Sequence, residues 1–178
     1  MSKDEHPYVA LARHAIRMYL ETGEIFDPGT QPDDPAPCGV FVSLHEPPPP
    51  NEVDGPLRGC VGSYRPHERT LRREITHSAV AAAVSDPRFR PLVPGEVDDL
   101  HITVYLLGDT EPVETLDELD PAHYGILVEG PSGRTGLLLP ALPGITSAKQ
   151  QVDLVLKKAS FSRYDPIRLY RFPATIII

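Results

Sequence analysis

Hydrophobic and polar residues alternate along this chain with two periods, and each period predicts one kind of element. Apolar residues recur three and four positions apart in three segments, which predicts amphipathic helices: residues 4–21, 69–84 and 147–160. They recur at every second position over residues 100–106, the period of a half-buried strand. Runs rich in β-branched and apolar residues at 39–44 and 57–62 predict two further strands, which we expect to pair antiparallel.

The last third of the chain adds extended segments. Residues 125–129 and 134–139 flank a Gly-Pro-Ser-Gly sequence, which predicts a hairpin. Residues 167–172 and 176–178 are predicted to be extended and partly interrupted by Pro173. Long helices mixed with strands, without regular β-α-β alternation, predict an α+β fold with mainly antiparallel sheets and about three helices.

Length and cysteine content favour one cytoplasmic domain over residues 1–178. A chain of this length buries enough surface to fold without disulfide or metal staples. Its two cysteines, Cys38 and Cys60, lie far apart, and no secretory leader pattern precedes them. No apolar run reaches the roughly 18 residues of a membrane helix. We therefore expect a soluble protein with no membrane partner.

The charge of −8 argues against undirected binding to nucleic acid but leaves a local groove open. One basic stretch, formed by Arg65, Arg69, Arg72 and Arg73, is either a solvated helix surface or the site of an anionic partner. The chain has no phosphate-binding glycine motif and no paired ligand spacing of structural zinc. The sequence thus predicts neither a cofactor nor a metal, and it leaves the oligomeric state open.

The strongest candidate for chemistry is the predicted strand 57–62, which reads Leu57-Arg58-Gly59-Cys60-Val61-Gly62. In an extended chain Arg58 and Cys60 share one face, and a guanidinium beside a thiol favours the nucleophilic thiolate. The flanking glycines allow another backbone or a ligand to approach closely. In the enzyme hypothesis Cys60 is a nucleophile or covalent carrier and Arg58 holds an anionic group or activates the thiol. The alternative is a buried, inert thiol.

Partners for Cys60 are not fixed by the sequence. A general base must lie within hydrogen-bond reach. The candidate histidines are His67, His77, His101 and His123, although each is more often a surface or packing residue than a base. The segment Asp86-Pro87-Arg88 either ends the second helix and forms a structural arginine–carboxylate pair, together with Glu96, or belongs to the site.

The order of motifs in this chain closely resembles that of the AMMECR domain family, named after the Alport syndrome, midface hypoplasia and elliptocytosis chromosomal region. The family hexamer LRGCIG is matched except that Val61 replaces isoleucine. The other matching segments, within a resemblance that covers roughly residues 8–172, are 41–44, 86–92, Glu96, 125–128, 136–140 and 158–159.

The resemblance implies a two-lobed α+β fold with the hexamer near a cleft between the lobes, and we expect the small lobe near residues 100–145. It also implies similarity to system protein A of the AmmeMemoRadiSam set, with Memo-like and radical S-adenosylmethionine proteins as partners and no established activity. Family members carry a histidine before the strand at residue 125, whereas this chain has Tyr124 there.

Two other functions compete with the enzyme hypothesis. A non-catalytic adaptor or substrate-presenting subunit would use the hexamer face and the basic stretch to hold a partner. Direct RNA binding is disfavoured, because the chain is acidic and has five Phe, seven Tyr and no Trp for base stacking.

Overall fold

Three α-helices and seven strands occur in the residues that the computed structural model describes, which are 5–50, 55–162 and 164–178. The helices are α1 (Pro7–Thr22), α2 (Leu71–Val84) and α3 (Ala148–Lys158). The strands are β1 (Val40–His45), β2 (Leu57–Ser63), β3 (His101–Leu107), β4 (Glu111–Val113), β5 (Tyr124–Glu129), β6 (Thr135–Leu138) and β7 (Arg168–Ile177). The predicted α+β fold with antiparallel pairing is confirmed.

The chain divides into two compact units. The first takes the chain up to Leu106 together with Ile176–Ile178, and the second is Leu107–Thr175. Each unit has its own cluster of buried apolar side chains.

In the first unit, α2 packs against β1 and β2 of an antiparallel sheet with strand order β2-β1-β3, and α1 packs against α2. Helix α1 ends at Gly23, whose φ of 77° is left-handed and suits glycine. The Thr70 side chain accepts the Arg73 amide and so caps the start of α2.

Strand β1 decides which residues face the helices. Val40, Val42 and Leu44 are fully buried in the core cluster, so the alternating residues Ser43 and His45 lie on the opposite face of the sheet. A register shift between Leu44 and His45 places a bulge in β2 at residue 58. From Gly59 onward, the side chains of β2 alternate regularly between the two faces of the sheet.

Gly59 lets β2 lie close to α2. A Cβ atom there would stand 2.2 Å from the Ala82 carbonyl oxygen, so only glycine fits between strand and helix. The close approach predicted for the hexamer glycines is therefore made at Gly59 by the protein's own helix.

In the second unit the strand order is β4-β7-β5-β6, and α3 packs against β5 and β6. The predicted interruption at Pro173 is wrong, because β7 runs through it without a break. Proline lacks only the N–H donor, and the Pro173 carbonyl accepts the Gly108 amide at 2.8 Å. The strand therefore loses one donor and keeps its pairing with β5.

Candidate functional site

Cys60 lies on β2, the outer strand of the first unit's sheet, and its backbone is bound by two side chains that follow α2. The Cys60 N–H donates to Asp86 Oδ2 at 2.9 Å, and Arg88 Nη2 donates to the Cys60 carbonyl at 3.3 Å. Arg88 also donates from Nε and Nη2 to the two Asp86 oxygens, at 2.9 and 2.6 Å. The predicted arginine–carboxylate pair therefore forms between Asp86 and Arg88 and binds the strand edge at the cysteine.

The two members of this pair differ in exposure. The Asp86 side chain is 3% exposed and that of Arg88 is 52% exposed. The hydrogen bond from Arg88 lowers the pKa of Asp86 well below its usual range, against the opposing effect of burial. The bond to Asp86 raises the pKa of Arg88, as does negative charge on Asp86 and on the Cys60 thiolate. The Arg88 guanidinium is thus a positive charge held beside the Cys60 backbone by the buried Asp86 carboxylate.

The Arg58 guanidinium, which the sequence places beside Cys60, is bound by a carboxylate and by two backbone carbonyls. It donates to both oxygens of Glu96, at 3.1 and 3.3 Å, and to the carbonyls of Arg90 and Pro91, at 2.8 and 3.5 Å. The side chain is 6% exposed. Arg58 therefore fastens β2 to the segment that follows α2.

Glu96 completes this anchor. Burial raises the pKa of Glu96, but the hydrogen bonds from the Val93 amide and from Arg58, with the charges of Arg58 and Arg90, lower it overall. The carboxylate that the sequence grouped with Asp86 and Arg88 is therefore the ion-pair partner of Arg58 and Arg90.

Ser43 lies directly opposite Cys60 in the β1–β2 ladder. The Cys60 N–H and carbonyl both point away from β1, toward Asp86 and Arg88, so the pair with Ser43 is of the non-hydrogen-bonded kind. In such pairs the side chains approach most closely, with Cβ atoms about 4.5–5.5 Å apart. Ser43, 4% exposed, is therefore the direct cross-strand partner of Cys60.

Ser43 in turn contacts a histidine. Its Oγ lies 3.0 Å from His45 Nε2, and His45 Nδ1 lies 2.9 Å from the Gly55 carbonyl oxygen. A carbonyl only accepts, so Nδ1 carries the proton, and in neutral His45 the Nε2 atom accepts from the Ser43 hydroxyl.

Ser43 and His45 are not among the site residues that the sequence predicts. Both could have been found, because the predicted antiparallel pairing of β1 with β2 and period-two alternation put them on the Cys60 face. What the sequence lacked was the register, since a shift of one residue would have turned both side chains toward the helices.

The four histidines proposed from the sequence lie elsewhere. His67 Nε2 contacts Ser63 Oγ at 3.0 Å, and His77 Nδ1 lies 3.4 Å from Glu68. His101 is exposed on β3, opposite His45. His123 pairs with Asp120 in the second unit.

Tyr124 also belongs to the second unit, at the start of β5. The Arg171 guanidinium lies over the Tyr124 ring, 4.6 Å from its centroid. The Tyr124 carbonyl accepts from Gln151 Nε2 at 2.8 Å. Its contacts within the unit are those of a packing residue.

The remaining residues of the hexamer pair with β1 or pack against the core. Leu57 pairs with His45 next to the bulge, Val61 packs against the core cluster, and Gly62 pairs with Phe41. In the described ranges of the chain, no three His, Cys, Asp or Glu side chains are grouped so as to hold a metal ion.

A comparison with known protein families matches nearly the whole chain, including the segments described above. The family model of AMMECR1 matches residues 9–177, from α1 to the end of β7. The chain belongs to the AMMECR1 family. The family resemblance stated from the motifs is thereby confirmed, and the AMMECR1 match extends it through the last strand.

Individual AMMECR1-family relatives agree. A protein of Thermotoga maritima is 39% identical over 176 residues, which cover 94% of this chain and 95% of the relative. A protein of Clostridium acetobutylicum is 34% identical over 177 residues, and this chain spans about a third of its length, with 36% covered. The crystal structure of an uncharacterized protein from Pyrococcus horikoshii superimposes with a TM-score of 0.84 at 32% identity, covering 95% of this chain and 88% of that one.

Among the described residues, none of the helices combines the length and the apolar character that crossing a membrane requires.

Proposed function

We propose that Cys60 of this AMMECR1-family protein is a nucleophilic thiol that forms a covalent bond with a substrate, as an enzyme or as a carrier. The observation that carries the proposal is the order Cys60–Ser43–His45 along one face of the sheet, with His45 Nε2 held in the accepting form. Arg88 supports it by adding a positive charge on the other side of the cysteine.

The proposed reaction moves protons among Cys60, Ser43 and His45 and needs no other acid or base. The thiol proton of Cys60 passes to the Ser43 oxygen while the Ser43 proton passes to His45 Nε2, so that His45 becomes cationic. The sulfur then bonds to an electrophilic carbon of the substrate. The bond from that carbon to its leaving group breaks, and the leaving group takes the proton held on His45.

The experiment that tests the proposal compares the two cysteines within one molecule. Cys38 is the internal reference, because it is half-buried like Cys60 but packs against the core cluster. With iodoacetamide near neutral pH, followed by peptide mass spectrometry, Cys60 is expected to label faster than Cys38. Equal, slow labelling of both cysteines would refute the proposal.

Arg88→Ala is the matching variant. A charge interaction of about 1 kcal/mol at a partly exposed site corresponds to about fivefold in thiolate population, so labelling should slow by about that factor. Arg90→Ala is the control, because the Arg90 side chain is 70% exposed and bonds Glu96 rather than Cys60. Equal slowing in both variants would show that general charge, rather than the Arg88 contact, sets the rate.

A second candidate function is that of an adaptor, which we propose to act in the cytoplasm with the Memo-like and radical S-adenosylmethionine proteins of the family resemblance. Arg65 and Arg69 are exposed before α2, whereas Arg72 Nε is buried and Arg73 pairs with Asp27 and Glu68. Reversing the charge of Arg65 and Arg69 should abolish co-purification with those proteins. Co-purification that survives the reversal would exclude this surface.

A further inference from the structure

The outer edge of β2 lies beside a groove in the first unit. The groove has a volume of about 410 Å³, within the range of ligand sites. Its walls come from three elements: Val61, Gly62 and Ser63 on β2, Ala81 and Val84 on α2, and Tyr19 and Ile25 at the end of α1. Ile25 is an apolar side chain that remains 40% exposed at the rim.

The backbone of β2 faces outward at Gly62. Peptide groups alternate direction along a strand, and those of Cys60 point away from β1, so those of Gly62 point the same way. The outward N–H and carbonyl of Cys60 are bound by Asp86 and Arg88. The outward N–H and carbonyl of Gly62 form no hydrogen bond with the described part of the chain. An N–H and a carbonyl are therefore presented at the wall of the groove.

The polar end of the groove is acidic. Glu68 and Glu74 line it together with His67 and His77, and no Lys or Arg is among its lining residues in the described ranges. Glu74 Oε2 already accepts the amides of His67 and Glu68, at 2.8 and 2.7 Å. Glu68, whose side chain is 21% exposed, already pairs with Arg73 and His77, and a basic group of a ligand would share this carboxylate with them.

We propose that this groove binds an extended peptide segment of a partner protein, which adds to the edge of β2 at Gly62. The peptide backbone would exchange two hydrogen bonds with Gly62, which is the mode of recognition known as strand addition. An apolar side chain would contact Val61 and Val84, and a basic side chain two residues along, on the same face of the added strand, would reach Glu68. The Asp86–Arg88 pair ends the available edge at Cys60 and limits the pairing to a short segment.

The proposal is independent of the chemistry proposed for Cys60, because its test measures peptide binding and not thiol reactivity. The probe is a six-residue peptide, blocked at both ends, in which valine and lysine take turns at every second position and serine fills the positions between them, so that valine and lysine share one face. The full chain is titrated with it and followed by amide NMR. The Gly62 amide is expected to shift and to become protected from hydrogen exchange when the peptide binds.

N-methylated copies of the peptide give the specific control. Methylation of one alternate set of backbone nitrogens should weaken binding about tenfold, because the bond to Gly62 is lost, and methylation of the other set should leave binding unchanged. Replacing lysine by glutamate in the peptide, or Glu68→Gln in the protein, should also weaken binding, whereas Asp117→Asn, at an exposed site of the second unit, should not. Absence of binding, equal effects of both methylated copies, or an unprotected Gly62 amide would overturn the proposal.

Discussion

Arg58 donates to both carboxylate oxygens of Glu96, at 3.1 and 3.3 Å, across 38 residues of sequence. This pair joins β2 to the segment after α2 and holds the hexamer in place. The arginine that bonds the Cys60 carbonyl is Arg88, which lies outside the hexamer. Negative charge on Cys60 raises the pKa of Arg88. The role that the sequence suggested for Arg58 beside the thiol stays a prediction, and Arg88 is the better-placed residue for it.

Arg58→Ala is expected to destabilise the fold by about 3–5 kcal/mol, because it removes the donor to the Arg90 carbonyl and the buried partner of Glu96, which keeps only the Val93 amide and the exposed Arg90. Chemical denaturation gives the free energy of unfolding. Arg90→Ala is the matched control, since Arg90 pairs with the same Glu96 but is 70% exposed, and it should cost no more than about 1 kcal/mol. Similar losses in the two variants would contradict the anchoring role of Arg58.

His45→Gln and Ser43→Ala should each slow the alkylation of Cys60 near neutral pH, because each breaks the path from the thiol to the base. The measurement is the labelling rate of Cys60 relative to Cys38 in the same sample. His101→Gln is the control, since His101 lies opposite His45 on β3 without a bond to Ser43 among those that the structure gives. A His45→Gln protein that labels at the wild-type rate would remove His45 from the proposed step.

Asp86→Asn should reduce stability in a pH-dependent way. The pKa of Asp86 in the folded protein is well below the ordinary value of 3.8, so the charged form is favoured by folding. Its contribution is fully present above that ordinary value and is lost as the pH falls toward the lower folded value. At pH 6 the variant should lose about 1–3 kcal/mol in the free energy of unfolding.

The difference between wild type and Asp86→Asn should shrink as the pH falls below about 4, which acid titration of the unfolding free energy would measure. Asp117→Asn, which makes the same change of net charge at an exposed site, is the control. A wild-type advantage that stays constant down to pH 2 would contradict an ionised Asp86 bound to Arg88.

Gly59→Ala should destabilise the protein by about 1–3 kcal/mol, because the added methyl would stand 2.2 Å from the Ala82 carbonyl and force β2 away from α2. Gly95→Ala is the matched control, since nothing lies within 4 Å of a Cβ there. Thermal unfolding of both variants checks the prediction. Equal melting temperatures would show that the β2–α2 contact is not tight at this glycine.

The sequence by itself determined the element types and their order. The three- and four-residue spacing that predicted α1 and α2, and the alternation that predicted β3, are local patterns set by which face of an element is apolar. The antiparallel pairing of β1 with β2 also followed from the chain, and so did the hexamer strand and the AMMECR1 family. Pro173 misled, because a proline in a strand costs one donor and not the strand, and the short strand β4 was not predicted.

The tertiary structure alone decided which groups meet at Cys60. The register of β1 against β2 puts Ser43 opposite the cysteine, and the return of the chain after α2 brings Asp86 and Arg88 to its backbone. Sequence spacing does not encode either contact, because cross-strand register and the position of a loop depend on packing between elements distant in the chain. For the same reason Arg58, two residues from Cys60 in sequence, is bound instead to Glu96.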